Sequence, residues 1–393
     1  GSNGSIIQQG GGSIDLTGGG ASTSQGTVTL VSEAGSIGTI ADPIQIMSSD
    51  ALPTVVRGYT GNEGGSTGSS LGSDDIGDIN INATNTVEYE QVIAGTNLNF
   101  IAPFHDNDQP QFSTGQVQTP SLATPGVAPP TPPREGDVIV TGDGEVCAND
   151  IRGGANSDVY VYSSGSGDIL VGTVAAADGT VTIENDDGSI LEKVNDTRGN
   201  IFAQEFVGIT NGVGDIGSRA SRDDKETNAL DTVVLESSLN VADGNVYVRN
   251  IGNIIYNDVQ VENANTAPDG FGSLDDGTPL TAGEVYLVSE GVTTAGNVQA
   301  GATTDVNVLI ETKNGSQLLV GNVEAVGNTV ALKSPDRVRG DALDINDNPF
   351  TQGRIQADQV LIEANGHIGS SSTPITLFSS TNGGTVTVAA STQ

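Results

Sequence analysis

The sequence predicts an all-β chain of short strands stacked as a solenoid, and three observations carry that expectation. First, brief alternating runs rich in Val, Ile and Thr recur along the chain, as in "VTLV", "DINI", "DVIV", "DVYVY" and "TVTIE", each closed by Gly, Asn, Asp or Ser. β-Branched residues suit a pleated surface buried on one face, and the same windows show almost no helical periodicity. Second, the runs return at the length of one coil: Val138 to Val159 is 21 residues, Val159 to Val181 is 22, and Val285 to Val306 is 21. Third, 54 glycines, no Trp and 8 Phe plus 7 Tyr leave few large side chains for a thick core. Thin rows of aliphatic residues remain. Tandem β-sandwich domains are the competing architecture, because further strands fall between the coil-length marks.

In chain order, residues 1–102 read as a first β-segment. Residues 103–136 read as an extended linker or a protruding loop: 103–133 hold eight of the chain's 15 prolines, and proline cannot join a central ladder. A linker is the favoured reading. Residues 137–393 read as a second β-segment with a diverged repeat. Within it Ile169, Gly172, Val174, Val181 and Ile183 align without a gap on Leu318, Gly321, Val323, Val330 and Leu332, each 149 residues later. Further on, "GDIGS" answers "GHIGS", placing Ile216 and Ile368 152 residues apart, and "GSIGT" at 35–39 is an earlier copy.

In these three places an Ile stands beside a glycine, giving Ile37-Gly38, Ile216-Gly217 and Ile368-Gly369. Two of them continue to Pro and a new alternating run, Pro43-Ile44-Gln45-Ile46 and Pro374-Ile375-Thr376-Leu377. Glycine permits positive φ at a sharp corner. Proline is tolerated at a strand's first position. The motif therefore predicts a structural corner at which Ile turns inward and caps an apolar row.

The net charge is 14 − 49 = −35, which disfavours nucleic acid and anionic lipid as partners. No run approaches the roughly 20 apolar residues of a membrane helix, so the chain is not expected to span a membrane by helices. Cys147 is alone, which rules out an internal disulfide. The opening "GSNGS" has neither Met nor a signal peptide and reads as an internal or processed piece of a larger chain.

The stretch "LLVGNVEAVGNTVALKSPDRVRGDALDINDNPFTQGRIQADQVLIEANGHIGSSSTPITLF" resembles the repeat region of filamentous haemagglutinin-type exoproteins, which are very large bacterial surface or secreted proteins. "DILVGTV" through "GDIGS" is a looser match and "GTVTLVSEAGSIGTIADPIQI" a partial third. The resemblance covers most of 137–393 and residues 12–48. It implies a right-handed parallel β-helix, a place outside the cell or on the bacterial surface, and structural or adhesive work. The partners it implies are neighbouring copies, other surface proteins, or host or cell-surface glycans. That family's amino-terminal secretion domain is not evident.

For sites, "ALDINDNPF" at 342–350 resembles the calcium-binding linker of cadherin domains. Asp344, Asn346, Asp347 and Asn348 would supply oxygen ligands for a hard cation such as calcium. The partner acidic motifs of a cadherin repeat are missing, which favours a solvated turn and no obligatory cofactor. Arg339-Gly340-Asp341 spells a short adhesive tripeptide but is also ordinary turn chemistry. The acidic turns at 73–78, 184–189, 221–226 and 274–278 fit no complete calcium motif. Only His105 and His367 offer imidazole bases, and no Gly-x-Ser-x-Gly motif or metal-binding His pair is present. A non-enzymatic chain is therefore expected. A carbohydrate-active β-helix enzyme, such as a polysaccharide lyase or depolymerase, is the rival, and a cadherin-like calcium-dependent adhesion module is third.

Overall fold

A computed structural model describes residues 6–7, 13–15, 26–32, 35–47, 54–60, 78–94, 137–154, 157–193, 200–218, 229–263, 272–273, 279–280, 283–301, 306–339, 353–380 and 385–392. Among these residues there is no helix. All but two of the described strands join one extended sheet whose ladders are parallel; Gly272–Ser273 and Pro279–Leu280 form a separate antiparallel pair.

The local rule is simple. A strand pairs with the next but one in the chain: Val138–Gly142 lies along Val159–Ser163, while Val146–Arg152 lies along the start of Ile169–Asn185. The chain therefore alternates between two rows of parallel strands. Inward positions of the first row run through Val146, Ile169, Ile190, Ile216, Val246 and Val285. It then continues through Val308, Val330 and Val360 to Val388. The second row runs from Ile37 through Ile79, Val138, Val159 and Val181 to Phe206. Nearly all of these side chains are fully buried, so the core is built of aliphatic rows running across the parallel strands. Each residue rests on its counterpart one rung away. No single rung can bury its own apolar face.

The repeat seen in the sequence is also a repeat of shape. Ile169–Asn185 and Leu318–Ser334 are both 17-residue strands. Each breaks register at the same internal place, between Ala176 and Thr180 and between Ala325 and Thr329. The two copies nevertheless sit on opposite rows. Ile169 belongs to the first row, whereas Leu318 pairs with Thr293 in the second; Val181 lies in the second row and Val330 in the first. The copies thus occupy the two rows in opposite order. Either row accepts them because each buries aliphatic side chains at alternate positions, Ile169 and Val171 in one and Leu318 and Val320 in the other.

One spacing read from the sequence is corrected. Val285 pairs with Val308, and Val306 pairs with Gly283, a two-residue shift from the expected register. With a side-chain period of two, such a shift leaves the same residues facing the core. Hydrophobic pattern alone could not distinguish the two registers.

The ladder is also continuous across the proline-rich segment: Ile79 pairs with Val138 and Val87 with Val146. Residues 95–136 are thus flanked on both sides by strands of one sheet, and 103–136 themselves lie outside the described residues.

Candidate interaction surface

The Ile-Gly corners are built alike. Gly38, Gly217 and Gly369 have φ of 67°, 73° and 65°, the left-handed region that only glycine enters without strain. In each, the glycine N–H donates back to an Ile or Val carbonyl of the preceding rung: Gly38 to Ile6, Gly217 to Ile190, Gly369 to Val338. A methyl group on Gly38 or Gly217 would overlap a carbonyl oxygen of the following rung, that of Asn80 or Tyr247. At Gly369 the nearest atom would be 3.6 Å away. Ile37 and Ile216 are fully buried, but Ile368 is only half-buried because no described strand stacks above it. The residue before each Ile faces outward to different degrees: Ser36 is buried, Asp215 half-buried and His367 exposed.

Polar residues preceding the inward Val or Ile form ladders of their own. The Asp137 N–H donates to Asp78 Oδ1 at 3.0 Å, the Asp158 N–H to Asp137 Oδ1 at 2.8 Å, and the Thr180 N–H to Asp158 Oδ1 at 2.9 Å. On the other row the Ser189 N–H donates to Asp168 Oδ1, the Asn245 N–H to Asp215 Oδ1, and the Glu284 N–H to Asn245 Oδ1, at 2.6–2.8 Å. This explains why "Asp-Val" and "Asp-Ile" recur in the sequence: the side chain satisfies a backbone donor one rung on. Strand ends are closed from inside. Ser163 Oγ donates to the Gly144 carbonyl at 2.8 Å, Asn185 Nδ2 to Gly167 at 3.0 Å, and Ser289 Oγ to Gly252 at 2.7 Å, all from fully buried residues. A buried carbonyl at a turn costs stability unless such a donor reaches it.

The outward faces differ by sector. Around Val246–Asn250 the outward side chains are buried too: Tyr247, Tyr286, Val288 and Ala229 form a second apolar cluster, and Arg249 Nη1 meets the fully buried Asp231 at 2.9 Å and also reaches Glu290. Around Val159–Ser163 the outward face is polar and aromatic. Tyr160 and Tyr162 stack at 6.0 Å between ring centres. Their hydroxyls donate to Glu184 at 2.7 Å and Asp186 at 2.5 Å, and Asn211 Nδ2 donates to both carboxylates. The bond to Asp186 pushes the Tyr162 phenol up to about 12, and the Tyr162 and Asn211 donors hold the Asp186 carboxyl below its usual value. Sequence reasoning did not find this cluster. Its signal was the "VYVY" pair, but the acids reach it only through stacking of adjacent rungs.

Cys147 is half-buried, and burial with the neighbouring Glu145 pushes its thiol up to about 11. It is therefore an unreactive thiol at neutral pH. Asp344, Asn346, Asp347 and Asn348 lie outside the described residues, as do Gly340, Asp341, His105 and the acidic turns at 221–226 and 274–278. Of the turn at 73–78 only Asp78 is described, and it serves a ladder. Among the described residues no three His, Cys, Asp or Glu side chains converge as metal ligands. No protein-family model, curated protein or solved structure matches the chain.

Proposed function

We propose that the chain is a right-handed parallel β-helix serving as a stiff structural and adhesive rod in a large bacterial surface or secreted protein of the filamentous haemagglutinin type. The observation that carries the reading is the unbroken parallel pairing from Ile37 to Val388, with aliphatic rows continuous along the axis. The hand follows from the near-universal right-handedness of crossovers between parallel strands. About a dozen rungs at about 4.8 Å each give a rod roughly 60 Å long and about 20 Å across. Outward faces of turns and strands then supply a long contact surface for surface proteins or glycans.

Small-angle scattering tests the shape: a rod cross-section is expected, and a string of compact beads would overturn the reading in favour of tandem sandwiches. Among the described residues the rival enzyme is favoured by one place only, the Tyr160–Tyr162–Glu184–Asp186 face, since aromatic rings beside carboxylates suit sugars. Reducing-end and unsaturated-product assays on bacterial and algal polysaccharides are expected to stay flat. Turnover abolished by Glu184→Gln would establish the rival instead.

A further inference from the structure

Midway along the sheet, an amine, an amide and a carboxylate converge on the outward face. Glu88 belongs to the strand Val87–Ile93 and Asn149 to Val146–Arg152, while Lys193 directly follows Ile190–Glu192. Between the last two runs Ile169–Asn185, whose Val171 pairs with Ala148 on one side and Glu192 on the other. Gly172 therefore falls between Asn149 and Lys193. A methyl group at Gly172 would stand 2.5 Å from the Asn149 carbonyl oxygen. With no side chain in that slot, Lys193 reaches across it to the Asn149 side chain, 44 residues earlier in the chain.

The contacts have an order. Lys193 Nζ donates to Asn149 Oδ1 and stands 3.3 Å from Glu88 Oε1. Asn149 Nδ2 donates to the same Glu88 Oε1 at 2.6 Å. One carboxylate oxygen thus touches both a nucleophile and the nitrogen that would leave, and the carbonyl between them is polarised by the ammonium. The Lys193 and Glu88 side chains are 32% and 26% exposed, so most of each is shielded from water. Reacting groups held together in this way need no encounter step.

We propose that Lys193 and Asn149 join in an isopeptide bond, with Glu88 relaying the protons. The Lys193 Nζ lone pair forms a bond to Asn149 Cγ, and the Cγ–Nδ2 bond breaks. Of the three ammonium protons, one stays on the new amide and two pass through Glu88 to Nδ2, which leaves as ammonium. The step is neither oxidation nor reduction and consumes no second substrate. Its product ties Val146–Arg152 to the end of Ile190–Glu192 across the strand between them. A covalent tie suits a stacked structure under load, because neighbouring rungs otherwise hold each other only by local contacts.

The test is the intact mass of the folded chain after prolonged incubation at neutral and mildly alkaline pH. Wild type should become lighter by one ammonia. Proteolysis should then release a branched peptide that joins the segments carrying Asn149 and Lys193. Lys193→Arg, which keeps a cation beside Glu88, and Asn149→Ala should both lack the branched peptide. Glu88→Gln keeps an oxygen acceptor for Asn149 and should slow the linkage about a hundredfold or more, the scale of a lost general acid–base group. A wild type that keeps its full mass would overturn the proposal. So would loss of ammonia without the branched peptide, which marks asparagine cyclisation elsewhere. Linkage at the wild-type rate in Glu88→Gln would overturn the relay.

Discussion

Gly217 and Gly369 occupy the same corner, yet a side chain would meet different surroundings at each. Both glycines have positive φ, which costs an Ala roughly 1–2 kcal/mol. Gly217→Ala would also press on the Tyr247 carbonyl, whose own amide bonds Ile216 at 2.7 Å. It is expected to cost about 3 kcal/mol or more once overpacking strain is added. Gly369→Ala should cost only the conformational part, and denaturant titration of the two variants checks the difference. Asp215 gives a pH signature. Burial raises its carboxyl pKa, and the nearby Asp168 and Asp243 add to the rise, against the opposing hydrogen bonds from Asn245. An acid with a raised folded pKa favours folding while protonated, and that contribution is lost as pH rises through the folded value. Asp215→Asn keeps an acceptor for Asn245, as Asn245 itself does for Glu284. The variant is expected to melt at or above wild type at pH 7, by up to about 1 kcal/mol. The gap should close below about pH 4, where wild-type Asp215 is neutral as well. A variant less stable at pH 7 would show that the ionised carboxylate is the better ladder member.

At the scale of elements, register is held by polar ladders as much as by apolar pattern. The Val285–Val308 pairing places Glu284 beside Asn307, and the Thr329 N–H donates to Asn307 Oδ1 at 3.3 Å. That bond ties Val306–Thr312 to the rung after it, where Val308 pairs with Val330. The proline-rich region offers a test of continuity. One rung later, residues 153–158 alone carry the chain from Arg152 to Val159. Arg152 pairs with Ile93 and Val159 with Val138. Replacing residues 95–136 with the sequence of 153–158 should therefore leave the sheet intact, with a melting temperature within a few degrees of wild type. Loss of cooperative unfolding would show that the segment is needed to join two separately stable parts.

For the whole molecule, repulsion among 49 carboxylates opposes a fold whose cohesion comes from aliphatic stacking. Added salt, with a Debye length near 8 Å at physiological strength, should recover stability lost at low ionic strength. At matched ionic strength, melting curves in calcium, in magnesium and with chelator are expected to nearly coincide. A true calcium site at Asp344, Asn346, Asp347 and Asn348 would instead add about 2.7 kcal/mol at a hundredfold excess over Kd. A calcium-specific shift removed by Asp347→Ala would establish that site.

The alternating runs, the coil-length spacing and the Ile-Gly corners are local patterns, so the sequence by itself determined an all-β chain, its 149-residue repeat and the glycines that turn it. The coil interval of Val138, Val159 and Val181 became a true row because each sits directly on the last. The tertiary structure alone decided which rung each residue meets. Register between Val285 and Val308, the opposite row order of the two copies, and the meeting of Tyr160 and Tyr162 with Glu184 and Asp186 all depend on neighbours roughly 20 or more residues away in the chain, across connections of varying length. A period of two says which way a side chain faces. It cannot say what lies above it, because that is set by the summed length of every turn in between.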